Sequence, residues 1–143
     1  MKGFTLLELL ITIGIISILS GITIVAINPS KQFGQANDAK RFNDVNSLLS
    51  AVGQYTIKHR GAIPPGINGS YQFIANTGTG LDICDELVGE DYLNLLPIDP
   101  SLDDPFVDCA NNYNTGYQIK YENSHISVHA PYAQEEADIT VTY

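Results

Sequence analysis

Positive charge is what this chain has least of. Seven Lys and Arg stand against sixteen Asp and Glu, for a net charge of −9 over 143 residues. Between Arg60 and Lys120 there is no base at all, while Asp82, Asp85, Glu86, Glu90, Asp91, Asp99, Asp103, Asp104 and Asp108 crowd together. Such a surface repels phosphate backbones, which excludes direct nucleic-acid binding along it. Cysteine is scarce too: Cys84 and Cys109, without a CxxC or a nearby histidine pair, are too few for a zinc site. No G-x-S-x-G, P-loop or H-E-x-x-H spacing occurs. His125 and His129 share a strand face, but strand rise sets them about 13 Å apart, too far for one metal. The chain offers no catalytic constellation, and the reading is that it is not an enzyme.

Charge is also missing from the stretch that organises the rest. From Phe4 to Ile27 the sequence is mostly Ile, Leu, Val, Gly, Ser and Thr, preceded by Lys2 and interrupted by one ionisable side chain, Glu8. At 1.5 Å per residue a helix of this length reaches about 36 Å, enough to cross a hydrocarbon core of about 30 Å with some tilt. The run is too long for a secretory signal peptide, and no Ala-x-Ala follows it. A carboxylate in lipid is costly, about 2.5–3.5 kcal/mol at the bilayer centre and less near the interface. A plain anchor gains nothing from it, so Glu8 needs a partner that this segment does not contain. A cut between Gly3 and Phe4 would create an α-amino group about one helical turn from Glu8. The amine of one copy would then neutralise the Glu8 of the next.

Gly3-Phe4-Thr5-Leu6-Leu7-Glu8 resembles the processing site of type IV pilins and pseudopilins. The resemblance implies cleavage after Gly3 by a prepilin peptidase, N-methylation of Phe4, and Glu8 as the assembly residue. It implies as partners identical subunits, that peptidase and a membrane assembly machinery. The chain would sit in the inner membrane before assembly and in an extracellular filament after it. Residues 1–3 are then the leader, 4–27 the membrane and filament-core half of a helix, and 28–143 the globular domain. Asn28-Pro29 should kink or break the helix, with Gly21 weakening it upstream.

From Ser30 the pattern is amphipathic. Phe42, Val45, Leu49, Val52 and Thr56, widened by Leu48 and Tyr55, form the apolar stripe, with Asp38, Lys40, Arg41, Asn43, Asp44 and Asn46 opposite. His59-Arg60-Gly61 reads as the helix end, giving an amphipathic half over 30–60. Residues 61–80 read as a turn-rich connection with one small strand around Tyr71 to Ile74. Asn68-Gly69-Ser70 matches a glycosylation sequon, a triplet common by chance. Leu81 to Leu96 has the look of a short helix stopped by Pro97. In a chain whose body crosses a membrane, Cys84 and Cys109 read as one disulfide closing region 81–109, against the alternative of two free buried thiols. The closed loop would contribute roughly 3 kcal/mol.

The run Leu96-Pro97-Ile98-Asp99-Pro100 resembles a loop of the major pseudopilins, which can bind calcium. Asp99, Asp103, Asp104 and Asp108 are the candidate calcium ligands, in a spacing that matches no EF-hand; a solvated acidic loop with no cofactor is the favoured reading. From about 116 to 143 three stretches alternate: Tyr117, Ile119 and Tyr121; Ile126, Val128 and Ala130; Ile139, Val141 and Tyr143. They predict a one-sided antiparallel sheet with the amphipathic helix as its cover. Tyr71, Tyr92, Tyr113 and Tyr132 are candidates either for exposed packing and adhesion surfaces or for the core. The fold class is therefore α+β and pilin-like. A type IV pilus subunit leads among functions, with a type II secretion pseudopilin second and a membrane-anchored binding domain third.

Overall fold

A computed structural model describes residues 3–102, 109–136 and 138–143. The chain divides into two compact units, Met1–Gly34 and Gln35–Tyr143. Helix α1 spans Leu6–Ile27 and helix α2 spans Pro29–Lys58. Between them Asn28 takes a left-handed conformation, φ 46°, and caps α1. The Asn28 carbonyl then accepts from the N–H groups of Lys31 and Gln32. Pro29 is thus the first residue of a new helix, where a missing N–H costs nothing. The break lies at Asn28, and α1 passes through Gly21 without one.

In the second unit the remainder of α2 carries the buried stripe Val45, Leu48, Leu49, Val52 and Tyr55, with Ala51 between them. Phe42, expected in that stripe, is 52 % exposed, and on the expected polar face Asp38 and Arg41 are buried. The apolar stripe therefore begins one turn later than periodicity suggests, because two charged residues occupy its first turn. The helix stops in a paired-bond cap: Gly61 N–H donates to Thr56 O and Arg60 N–H to Ile57 O. Both Arg60 (φ 56°) and Gly61 (φ 94°) are left-handed, so the turn begins on an arginine, ahead of the expected glycine.

Four strands form one antiparallel sheet in the order β1 (Gln72–Ala75), β2 (Asn114–Glu122), β3 (His125–Ala130), β4 (Ile139–Thr142). The small strand anticipated near Tyr71 joins the sheet as its first member. Asn123 and Ser124, both at positive φ, make the two-residue turn between β2 and β3. Tyr117, Ile119, Ile126, Val128, Ala130 and Ile139 bury one sheet face in the same core cluster as the α2 stripe.

The helix expected over 81–96 shrinks to one turn, α3 (Cys84–Leu87). Beyond it Asp91 goes left-handed, and the N–H groups of Tyr92 and Leu93 both turn back to Leu87 O. A disulfide joins Cys84 to Cys109, with Cα atoms 5.5 Å apart. Cys84 is buried in the core and Cys109 packs against it, so the bridge pins region 81–109 to the domain.

Candidate assembly segment

The first unit has an ordered start. Thr5 is the N-cap of α1, and its side-chain oxygen accepts from the Glu8 N–H at 3.2 Å while its carbonyl accepts from Leu9. Thr5-x-x-Glu8 is a Ser/Thr-x-x-Glu pattern, a helix-start signal that the sequence reading passed over. A carboxylate in the first turn also suits the positive end of the helix dipole.

Leu6–Ile24 is long and apolar enough to cross a membrane. Every large side chain in it that the structure describes is exposed, from Leu6 at 83 % to Ile11 at 51 %. Three of the four hydroxyls in the span are satisfied within the helix. Thr12 donates to the Glu8 and Leu9 carbonyls, Ser17 to Ile13 and Thr23 to Ser20. Intrahelical bonding of this kind lets Ser and Thr face hydrocarbon. Gly14 and Gly21 have open space where a Cβ would stand. Glu8 differs in carrying a charge: its carboxylate has no hydrogen-bond or ion-pair partner among the described residues. One acid is left without a partner on an otherwise uncharged rod.

Residues 1–24 match the family model described as the prokaryotic N-terminal methylation motif. This chain carries the type IV pilin and pseudopilin signal. The motif places the chain in a bacterial setting and implies prepilin peptidase processing and assembly into a pilus-like polymer. The match covers the segment just described and does not reach the globular unit. No curated protein or solved structure matches the chain significantly. The α+β architecture, a long N-terminal helical region with a four-stranded antiparallel sheet, is the pilin-like one.

In the globular unit the main polar feature is a buried node that sequence reasoning placed on the solvent face. Arg41 Nε donates to Asp99 Oδ2 at 2.7 Å and Nη2 to Asp99 Oδ1 at 3.0 Å, a two-pronged pairing. Its Nη1 reaches Asp38 Oδ1 at 2.8 Å. Asp38 in turn accepts from the N–H groups of Gln134, Glu135 and Glu136. Two charged side chains on α2 thereby hold the loop around Asp99 and the segment before β4. Burial works against the Asp38 carboxylate, but the three backbone donors and Arg41 outweigh it and lower its pKa to about 2. Asp99 is likewise lowered: burial opposes ionisation, and Arg41 and Ser101 overcome it. Nearby, Asp44 accepts from Tyr117 Oη at 2.7 Å and from Lys40, which also donates to Ile98 O. Burial, then Asp44, pushes the Tyr117 hydroxyl far above its ordinary pKa.

This geometry bears on the calcium candidates. Both Asp99 oxygens already serve Arg41, and Oδ1 also accepts from Ser101. Asp103, Asp104 and Asp108 lie outside the described residues, and among those described no cluster of His, Cys, Asp or Glu could hold a metal. His129 approaches Gln118 and Asp138, whereas His125 meets Asn123 O. Of the four tyrosines in question, Tyr71 and Tyr132 are exposed and Tyr92 is half-buried. Tyr113 is buried and donates to Asp82 at 2.7 Å, so it belongs to the core.

Proposed function

We infer that this chain is a structural subunit of a type IV pilus. It would polymerise through α1 into an extracellular filament serving adhesion, motility or DNA uptake. The observation that carries the reading is Glu8, a lone carboxylate without a partner on an exposed apolar helix that bears the methylation motif. After cleavage behind Gly3, the new amine of Phe4 on a neighbouring copy supplies the missing charge and sets the register between rods. Desolvated pairs of this kind are strongly position-dependent, which favours one stagger over its alternatives. The subunit waits in the membrane, with α1 in lipid, and leaves it when α1 joins the filament core.

The test is Glu8→Ala in the native host. Loss of surface fibres containing the chain, with the variant still in the membrane fraction, is the expected result. Wild-type numbers of fibres would overturn the role of Glu8. Intact mass of the mature protein checks processing directly: a chain beginning at N-methylated Phe4 is expected, and one retaining Met1 contradicts it.

The Pro97-Ile98-Asp99-Pro100 run supports a second reading, the pseudopilin of a type II secretion system. Long surface fibres favour the first reading. Secretion lost on deletion, with no fibres in the wild type, favours the second.

A further inference from the structure

Asn68-Gly69-Ser70 stands exposed in the connection ahead of β1, and Asn68-Gly69 is the one Asn-Gly step in the sequence. The turn is closed by its own side chain: Ser70 N–H donates to Asn68 Oδ1 at 2.9 Å. The ring made by this bond includes Asn68 Cγ and the Gly69 nitrogen, so the two are held near each other. The Asn68 backbone is anchored as well. Its N–H donates to Gln72 Oε1 at 3.2 Å, and its carbonyl accepts from Tyr121 N–H at 2.7 Å. The Gly69 N–H and the Asn68 Nδ2 amide, however, donate to nothing among the described residues.

Two features of this turn favour attack of the Gly69 nitrogen on Asn68 Cγ. Glycine has no Cβ to crowd the approach. The Ser70 N–H, at 2.9 Å, points at the oxygen on which charge would develop, the distance at which such a donor is effective. Two other asparagines each have half of this arrangement. Asn114 makes the same turn, its Oδ1 accepting from Gly116 N–H at 2.9 Å, but the residue between them is the buried, β-branched Thr115. Asn123 precedes the small Ser124 in the exposed hairpin turn, but no N–H holds its side-chain oxygen among the described residues.

We propose that Asn68 is a site of self-catalysed deamidation, converting to aspartate and isoaspartate without an enzyme. The Gly69 nitrogen attacks Asn68 Cγ and gives its proton to solvent base, while the charge collects on Oδ1 and is stabilised by Ser70 N–H. The carbonyl then re-forms and expels Nδ2, which takes a proton from water and leaves as ammonia, and a cyclic succinimide remains. Water opens that ring at either carbonyl. Opening at Cγ gives aspartate. Opening at the backbone carbonyl gives isoaspartate, in which the chain runs through the side chain and the carbonyl that holds Tyr121 N–H becomes a free carboxylate. Either product adds a negative charge to the exposed turn, and neither returns to asparagine. The site lies wholly in the second unit and does not depend on filament formation.

The experiment follows the purified full chain in detergent micelles at neutral and mildly alkaline pH, beside a synthetic peptide of residues 66–72. Peptide mapping by mass spectrometry reads the amide-to-acid mass gain at each asparagine. Enzymatic methyl transfer from S-adenosylmethionine counts isoaspartate. Asn68 is expected to convert ahead of Asn114 and Asn123, at a rate no lower than in the free peptide, and faster as the pH rises. Gly69→Ala should slow conversion about tenfold, since a methyl group then crowds the attacking nitrogen. Gly69 lies outside the left-handed region, and a Cβ there would meet Tyr121 O at 3.8 Å, an ordinary contact. The variant's melting temperature should therefore stay at the wild-type value. Conversion at Asn68 that lags the peptide overturns the proposal, because the folded turn would then shield the amide. So does earlier conversion at Asn114 or Asn123, or an unchanged rate in Gly69→Ala. Glu8→Ala should deamidate as wild type does, which separates failure here from failure of the filament reading.

Discussion

Leucine and isoleucine do opposite things in the two units of this chain. In α1 those whose burial is described are more than half exposed; in the second unit Leu48, Ile74, Ile83, Leu87 and Ile119 are fully buried. Polar groups diverge in the same way. Hydroxyls of α1 bond carbonyls three or four residues back in their own helix. In the second unit Arg41, Asp38 and Tyr117 reach partners 58 to 98 residues away. The first unit is locally complete and globally unfinished, since the apolar side chains described in α1 stand exposed. The second is finished by its own long-range contacts. A mutation should therefore alter assembly in one unit and stability in the other.

The sharpest break of that contrast is Glu8→Ala, described above, which should abolish fibres and leave the thermal melt of the globular unit, followed by near-ultraviolet circular dichroism, unchanged. A lowered melt would show the units to be coupled. Next in size is Arg41→Ala. It strands Asp38 and Asp99 in the interior and should cost about 3–5 kcal/mol, read as a large fall in denaturation midpoint. Replacing the pair by apolar residues, Arg41→Met with Asp99→Leu, should recover much of the loss. A midpoint for Arg41→Ala near wild type would mean that water reaches the node.

Gly116→Ala tests the same region from the sheet side. Gly116 has φ 78°, and a Cβ there would stand 2.8 Å from Asp99 Cβ and 3.0 Å from Leu102 Cδ1. Backbone strain and the clash together should cost about 2–3 kcal/mol. Acid provides a gentler probe. Asp38 titrates at about 2 in the folded chain against an ordinary value of 3.8, so its contribution is present in full above the ordinary value. That contribution, at most about 2.5 kcal/mol, is lost as pH falls from about 4 to about 2. Asp99, also lowered, acts in the same direction. Asp38→Asn should flatten this part of the stability–pH curve. The smallest expected effect is Thr5→Ala, which removes the α1 cap at about 1 kcal/mol of helix stability. Its signature is more rapid amide exchange at Glu8, with no change in the globular melt.

How far the sequence could be read differs between the units for one physical reason. The motif at Gly3–Glu8, the apolar run and the alternating strands depend on neighbours a few residues apart, so they were legible. Phe42 was assigned to the buried stripe and Arg41 to the solvent face because periodicity weighs side chains by polarity, and a paired guanidinium breaks that rule. Nothing near Arg41 in the chain announces Asp99. The helix over 81–96 failed similarly: Leu81, Ile83, Leu87 and Leu96 do reach the core, but beyond α3 a turn at Asp91 brings the Tyr92 and Leu93 N–H groups back to Leu87 O without helix.

By itself, then, the sequence determined the apolar rod with its single acid, an interruption of the helix at Asn28-Pro29 and the strand pattern, because each is set by local sterics and by burial averaged over a few residues. Only tertiary structure decided that Asp38, Arg41 and Asp99 form one buried node and that Tyr117 reaches Asp44. Those depend on segments distant in the chain being brought within hydrogen-bond reach, which the packing of the core makes possible.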